Sequence, residues 1–333
     1  MTLVLLIVAL LTGSLLTAPP AAAQPGGKKL PRVAFVFAGT PVAEMQGPDP
    51  VAPDFRAFLH TLRDRGWIEG QTFVIERRSA ERKWDQVPAL WADVIRGEPD
   101  VIVAVTNRMA VAAKQATSTI PIVATMGQSV ETGLAASLAR PGGNLTGIDV
   151  AQTADFTARR LQLLKEVVPG VRRVAVLANL PVALPRFQAV QDLVKPLGIT
   201  LTLLGTDTDA KLDAALAAVA ADRPTALVTQ PAAFPEIHFR RVADFALRHR
   251  LPSMTPYREF TEAGMLMSYG YNINDLFRHA AVYVDRILRG AKPGDLPIEQ
   301  PTKWDFVVNQ KTARALGITL PPSILVQATE VID

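Results

Sequence analysis

Tyrosines, amides and hydroxyls at the ends of short apolar runs are the residues of this chain best placed for chemistry, and that chemistry is neutral hydrogen bonding and stacking. Ser268-Tyr269-Gly270-Tyr271 closes one such run and is followed at once by a periodic helix. Two phenols therefore sit where a strand hands over to a helix N-terminus, the usual ligand position in an α/β protein. Equivalent places are filled by Gly39-Thr40, Thr106-Asn107, Met126-Gly127, Asn179, Gln230 and Tyr257. Each polar residue in such a place also serves as a helix N-cap, and for Thr40, Thr106 and Asn107 capping and ligand contact stay equally open. Their collective placement is what points to binding, with Tyr257, Tyr269 and Tyr271 available to stack on an apolar part of a ligand.

Groups that make and break bonds are sparse. His60, His238, His249 and His279 are isolated within helical stretches, and no pair has metal-ligand spacing. There is no cysteine, which excludes thiol catalysis, thiolate metal sites and disulfides, and there is no G-x-S-x-G elbow. Carboxylates near strand ends are sparse: Asp149 and Glu131 are candidates for an acid or base, but they read better as a turn residue and a helix first-turn residue. Arg140-Pro141-Gly142-Gly143-Asn144 fits neither dinucleotide nor P-loop spacing and reads as a tight turn, so no catalytic residue, metal or cofactor is expected. Asn144-Leu145-Thr146 is a glycosylation sequon in a eukaryotic secretory setting alone.

The elements that position these residues alternate. Arg32 to Ala38 is a continuous apolar run of strand length, the pattern of a strand buried on both faces. Phe55, Phe58, Leu59 and Leu62 follow at helical spacing; strands are expected over 72–76, 101–105, 120–124 and 146–150, with helices over 87–95, 109–116 and 132–139 between them. From Asp155 the pattern restarts: a helix carrying Ala158, Leu161, Leu164 and Val168, then strands over 172–178, 200–204, 225–229 and 252–254, with helices over 186–194, 209–220 and 235–248. Arg32-Val33-Ala34 answers Arg173-Val174-Ala175, Pro99 to Val103 answers Pro224 to Val228, and Ile120-Pro121 answers Leu251-Pro252. Nearly constant offsets over three elements in order indicate a duplication, two similar α/β halves with parallel sheets. The last strong element is a helix with Ile273, Leu276, Phe277, Ala280, Val284, Ile287 and Leu288 on one face, Asn272 or Asn274 as cap, Gly290 at its end and an Asp285-Arg289 pair along it.

The first 23 of the 333 residues carry no charged side chain; the run Leu3 to Leu11 and the small residues Ala21 to Ala23 read as a cleaved export signal with processing near Ala23. The absence of cysteine excludes a lipid-anchored cysteine after it. Processing leaves about 310 residues, enough for two domains with full cores. No other apolar run has the length of a membrane span. Lys and Arg number 35 against 31 Asp and Glu, a net +4, and the basic residues fall in scattered pairs such as Arg77-Arg78, Arg159-Arg160, Arg172-Arg173 and Arg240-Arg241, which read as solvated surface rather than a nucleic-acid patch.

Three stretches carry a family resemblance: SLARPGGNLTG at Ser137 to Gly147, LQLLKEVVPGVRRVAVLAN at Leu161 to Asn179, and the long run Gly264 to Leu325. Together with the leader and the duplication, they resemble the ABC-transporter substrate-binding proteins related to the tryptophan and tyrosine importers. The resemblance implies a type I periplasmic-binding-protein architecture of two Rossmann-like lobes and a hinge. Lobe 1 would be residues 31–150 with a return of 310–330, and lobe 2 residues 151–258 with a return of about 264–305. Chain crossings would fall near 149–153, 257–264 and 301–309. It implies a monomeric periplasmic protein that closes on a small ligand, an amino acid or related small carboxylate or amide, and hands it to an inner-membrane permease and ATPase. Similar members commonly carry Asp-Pro after the short strand of lobe 1; here the run is Met126-Gly127-Gln128-Ser129, which removes a partner for a ligand ammonium. A periplasmic sensor subunit and an α/β enzyme using Asp149 or Glu131 are the alternatives.

Overall fold

The computed structural model describes residues 29–150, 153–231 and 238–333. The expected export signal over 1–23, the start of the helix expected from Pro235, and part of the crossing at 149–153 lie outside them. The chain divides at Leu30, and Pro31–Asp333 is one unit.

Its first half runs β1 (Arg32–Phe37), α1 (Pro53–Asp64), β2 (Val74–Ser79), α2 (Val87–Arg96), β3 (Val101–Val105), α3 (Asn107–Ala116), β4 (Ile122–Met126) and β5 (Leu145–Asp149). These strands form one parallel sheet in the order β2-β1-β3-β4-β5. The second half runs α4 (Ala154–Val167), β6 (Arg173–Ala178), α5 (Leu180–Val194), β7 (Thr200–Gly205), α6 (Asp209–Asp222), β8 (Ala226–Thr229), α7 (Phe239–Arg248), β9 (Ser253–Thr255), α8 (Arg258–Glu262) and β10 (Met267–Gly270). After it come α9 (Ile273–Leu288), β11 (Asp305–Asn309), α10 (Gln310–Leu316), α11 (Pro322–Gln327) and β12 (Glu330–Ile332). The second sheet is ordered β12-β11-β10-β9-β8-β6-β7, so β7-β6-β8-β9-β10 repeats the first sheet strand for strand. Register repeats too: Val33 faces Val101 as Val174 faces Ala226, and Ile102 faces Ile122 as Leu227 faces Ser253. The paired residues correspond through the same offsets that relate the two halves in sequence.

Both sheets are buried on two faces because successive side chains of a strand point to opposite sides. Val33, Phe35, Phe37, Val101 and Val103 pack against α1 and α9; Ala34, Val36, Ile102 and Ala104 pack against α2 and α3. In the second lobe Val174, Val176, Val228 and Met254 meet α4 and α5, while Ala175, Leu177 and Leu227 meet α6 and α7.

Three expectations are corrected. The returns are exchanged: within 264–305, β10 stays in the second sheet but α9 covers the first lobe, where Phe277 stacks on Phe37 at 5.6 Å, and within 310–330, α10 and α11 pack on the second lobe through Ala313 and Ile324. The second crossing lies after Gly270 rather than at 257–264, because α8 is anchored in the second core by Phe260, stacked on Phe239 at 3.6 Å. Residues 132–139 form turns instead of a helix: Gly133 adopts φ +72°, and the bonds Gly133 N to Val130 O and Ala136 N to Pro141 O leave no helical ladder. Smaller shifts occur in β2, which starts later because Thr72 Oγ1 accepts from Ile68 N in a turn, and in α5, which starts at Leu180 and carries Pro185 inside it. The sequon is closed, since Asn144 is buried and its amide donates to Thr117 and Ile120 carbonyls.

One carboxylate joins α9 to the lobe it covers. Asp285, 7% exposed, accepts from Arg289 Nε (2.6 Å), Trp67 Nε1 (2.8 Å) and Arg65 (3.1 Å) beyond α1. Burial alone would raise its pKa, but the donations from Trp67, Arg289 and Arg65 outweigh that and hold it below the ordinary Asp value. Its contribution is therefore complete above the unfolded Asp pKa and is lost as pH falls through the lower folded value. Asp285→Asn is expected to lower stability by about 2 kcal/mol at neutral pH. In urea titrations the gap between the two proteins should close at strongly acid pH; a gap independent of pH would refute this role.

Candidate functional site

The site is built where the chain passes between lobes. Three passages do so: from β5 into α4, from β10 into α9, and from residue 299 into β11. All leave or enter at the carboxyl ends of the parallel strands, so those ends of the two sheets face each other. Lateral bonds tie the passages together. Asp149 N donates to Glu299 O (2.8 Å), Glu299 N to Gly147 O (3.1 Å), and Asn272 Nδ2 to Asp305 Oδ2 (3.0 Å). Gly270 is required at its passage, since a Cβ there would lie 1.8 Å from Pro256 O.

Aromatic rings converge on the same place. Trp304, on the third passage, stacks on Phe156 of α4 with centroids 4.0 Å apart and lies 6.1 Å from Tyr269 and 6.2 Å from Tyr271. The hydroxyls of Tyr257 and Tyr271 are 3.1 Å apart, with the rings edge to face. Behind these rings lies Arg160 of α4, which has no exposed surface and whose Nε donates to Tyr269 O at 2.6 Å. Burial lowers its pKa to about 10 against the opposing pull of Tyr257, Tyr271 and Tyr269, so the guanidinium is a cation at neutral pH. Burial, and then the neighbouring Tyr271, push the Tyr257 phenol well above its ordinary value, so it remains a neutral donor.

Of the residues singled out from sequence, the structure gathers Tyr257, Tyr269 and Tyr271 in this cluster. Gln230 lies in the second lobe and exchanges hydrogen bonds with Thr157 of α4; Asn179 is half-buried ahead of α5 and makes no side-chain cap bond. Across the cleft, Asn107 pairs with Gly127 twice: Gly127 N donates to its Oδ1 and its Nδ2 donates to Gly127 O, both at 2.5 Å. Asn107 thus holds the loop after β4 rather than offering a free amide. Met126 is corrected, being 1% exposed and packed in the first-lobe core with Ala124 and Leu134. Gly39 and Thr40 are half-buried at the end of β1, and Thr106 is exposed with φ +88°. Neither acid has an acid-base geometry. Both oxygens of Asp149 are taken, by Gln128 N (2.8 Å), Ser129 N (2.7 Å) and Ser129 Oγ (2.5 Å), and Glu131 is exposed. His60, His238 and His279 each face a carboxylate and His249 packs at a tilt against Phe245. Among the described residues no group of metal-ligating side chains is present.

Sequence reasoning missed Phe156, Trp304 and above all Arg160, which was expected on a solvated Arg159-Arg160 surface. A signal existed: Thr157, Arg160, Leu161 and Leu164 fall at i, i+3, i+4 and i+7, which places the arginine in the buried stripe of α4.

The profile of the family described as ABC transporter substrate binding protein matches residues 51–332. The tyrosine-binding protein of Clostridioides difficile (strain R20291) is 23% identical over 268 residues, 79% of this chain and 76% of that protein. A conserved domain protein from Vibrio cholerae superimposes with a TM-score of 0.78 at 24% identity, covering 91% of this chain and all of that one. A Streptococcus pneumonia ABC domain in complex with L-Trp gives the same TM-score and coverages at 20% identity. A ligand-free, open substrate binding protein with adhesive properties from Clostridium difficile gives 0.67 at 20% identity, covering 91% and 99%.

Arg160 holds α4 to the end of β10, and its removal leaves a buried carbonyl without that donor. Arg160→Ala is expected to lower stability by about 3 kcal/mol, with Arg160→Met recovering part of the loss by refilling the volume. Equal urea midpoints for all three proteins would refute the assignment.

Proposed function

Since the chain belongs to the ABC transporter substrate binding protein family, we propose that it is the exported, periplasmic solute-binding component of an ABC importer. It closes its lobes on a small ligand and presents the closed form to an inner-membrane permease and its ATPase. The observation that carries this reading is the convergence of Tyr257, Tyr269, Tyr271, Trp304 and Phe156 on the passages between two sheets whose carboxyl ends oppose each other. Rings fixed by one another present flat apolar surface at little entropic cost, and closure that buries a ligand against them favours the closed state through interactions that the open state lacks. The ligand this surface suits is a small planar molecule, an aromatic amino acid or a related carboxylate or amide. The relatives named for tyrosine and solved with L-Trp support that class. No covalent step is needed: the Tyr257 phenol is held neutral by burial, and Asp149 is spent on backbone donors. Among the described residues no helix is long and apolar enough to cross a membrane.

Refolding from denaturant removes retained ligand, after which a thermal-shift screen of amino acids and small aromatic carboxylates and amides tests the reading. A ligand at a hundred times its dissociation constant stabilises the chain by about 2.7 kcal/mol, a shift of several degrees in a protein of this size. Tyr269→Ala is expected to weaken binding about ten-fold or more by removing the stacking face. No shift from any member of the library would reject the reading.

A further inference from the structure

The carboxyl end of the first sheet carries two arginines that the aromatic cluster does not use. Arg82 follows β2, and Arg108 is the second residue of α3. The guanidinium of Arg108 stacks over Trp84 at 4.1 Å from the ring centroid, two residues along from Arg82. The stem of Arg82 covers the end of β1: a Cβ on Gly39 would stand 3.5 Å from its Cγ, and Arg82 N donates to Ala38 O (2.9 Å). Glu81 and Arg82 hold φ of +45° and +65°, so this turn is fixed by its surroundings rather than by preference. Both arginine side chains are exposed, and among the described residues neither forms an ion pair. Among the neighbouring charges, Glu81 pairs with Lys83 and Arg78 with Glu76, while Asp85 is exposed beside Trp84. Thr106 makes no side-chain cap bond, so the positive end of the α3 dipole adds to the same rim.

These strand ends face the second lobe, because the chain leaves the first lobe at Asp149 and returns to it at Ile273. Asp149, the acid built into that end, turns both oxygens to the backbone and hydroxyl of residues 128–129 and forms no ion pair with either arginine. We infer that this rim is an anion subsite: Arg108 and Arg82 take the carboxylate of the ligand while its ring lies on the tyrosines and Trp304 opposite. The inference rests on the solute-binding reading and adds the charge of the solute. A guanidinium already held over an indole presents its donor fork with less rotamer freedom left to lose, and that fork matches a carboxylate. In a closing cleft the pair is desolvated, which raises its worth above that of an exposed ion pair.

Titration calorimetry on the full chain with two matched pairs tests this: L-tryptophan with L-tryptophanamide, and indole-3-propionate with indole-3-propionamide. Each acid is expected to bind about ten-fold or more tightly than its amide, and to weaken as ionic strength rises. Arg108→Gln should weaken the acid more than the amide and so remove most of the difference within each pair, Arg82→Gln should reduce it, and Arg108→Lys should restore part. Acids and amides that bind alike, with Arg108→Gln silent, overturn the anion subsite and leave the solute-binding reading standing. Equal losses for acid and amide in Arg108→Gln show a packing role and overturn it as well. A cooperatively melting wild-type chain that binds none of the four compounds, nor any member of the wider library, removes both readings.

Discussion

The bond from Arg160 to the carbonyl of Tyr269 is the constraint around which the passages are arranged. A guanidinium without exposed surface keeps its position only if its donors are directed at acceptors, and one of them is the backbone at the end of β10. Fixing that carbonyl fixes Tyr269 and, one residue later, the glycine whose hydrogen atoms alone leave room for Pro256 O. From there Tyr271 and Trp304 follow by contact, and Trp304 returns the packing to Phe156 on the same helix as Arg160. The circuit closes on α4, so the three passages are one packed body rather than three independent linkers.

Most of the architecture was legible in the sequence because it rests on periodicity. Parallel strands buried on both faces read as continuous apolar runs, and the offsets between Arg32, Pro99 and Ile120 and their counterparts already say which strand of one half answers which of the other, as the repeated register bears out. Which lobe a late helix covers was not legible, because an apolar stripe states that a helix is covered and leaves open by what. The site divided along the same line. Tyrosines at strand ends could be placed from strand ends alone, whereas Arg160 and Trp304 depend on which helix and which passage lie alongside. A paired arginine on a helix looks solvated until its partner stripe is counted residue by residue, and Met126 looks like a rim residue until the alternation of β4 is followed to its last member.

The exchange of α4 and α9 gives the duplication its mechanical sense. In each half the fifth strand ends at a passage, and the helix beyond it covers the other lobe: α4 follows β5 and packs on the second sheet, α9 follows β10 and packs on the first. Counted with the fifth strand that it follows, each of these helices completes the core of the lobe that the chain enters next. The network of Asp285 with Trp67, Arg65 and Arg289 is the polar end of that exchange.

That reciprocity sets the order in which the polypeptide completes itself during synthesis. The first sheet has all its strands once Asp149 has been made, yet the part of its face where Phe35 and Phe37 meet Phe277 stays uncovered until α9 arrives. A nascent chain halted between those points presents a finished sheet with an uncovered aromatic surface, the kind of intermediate that chaperones hold.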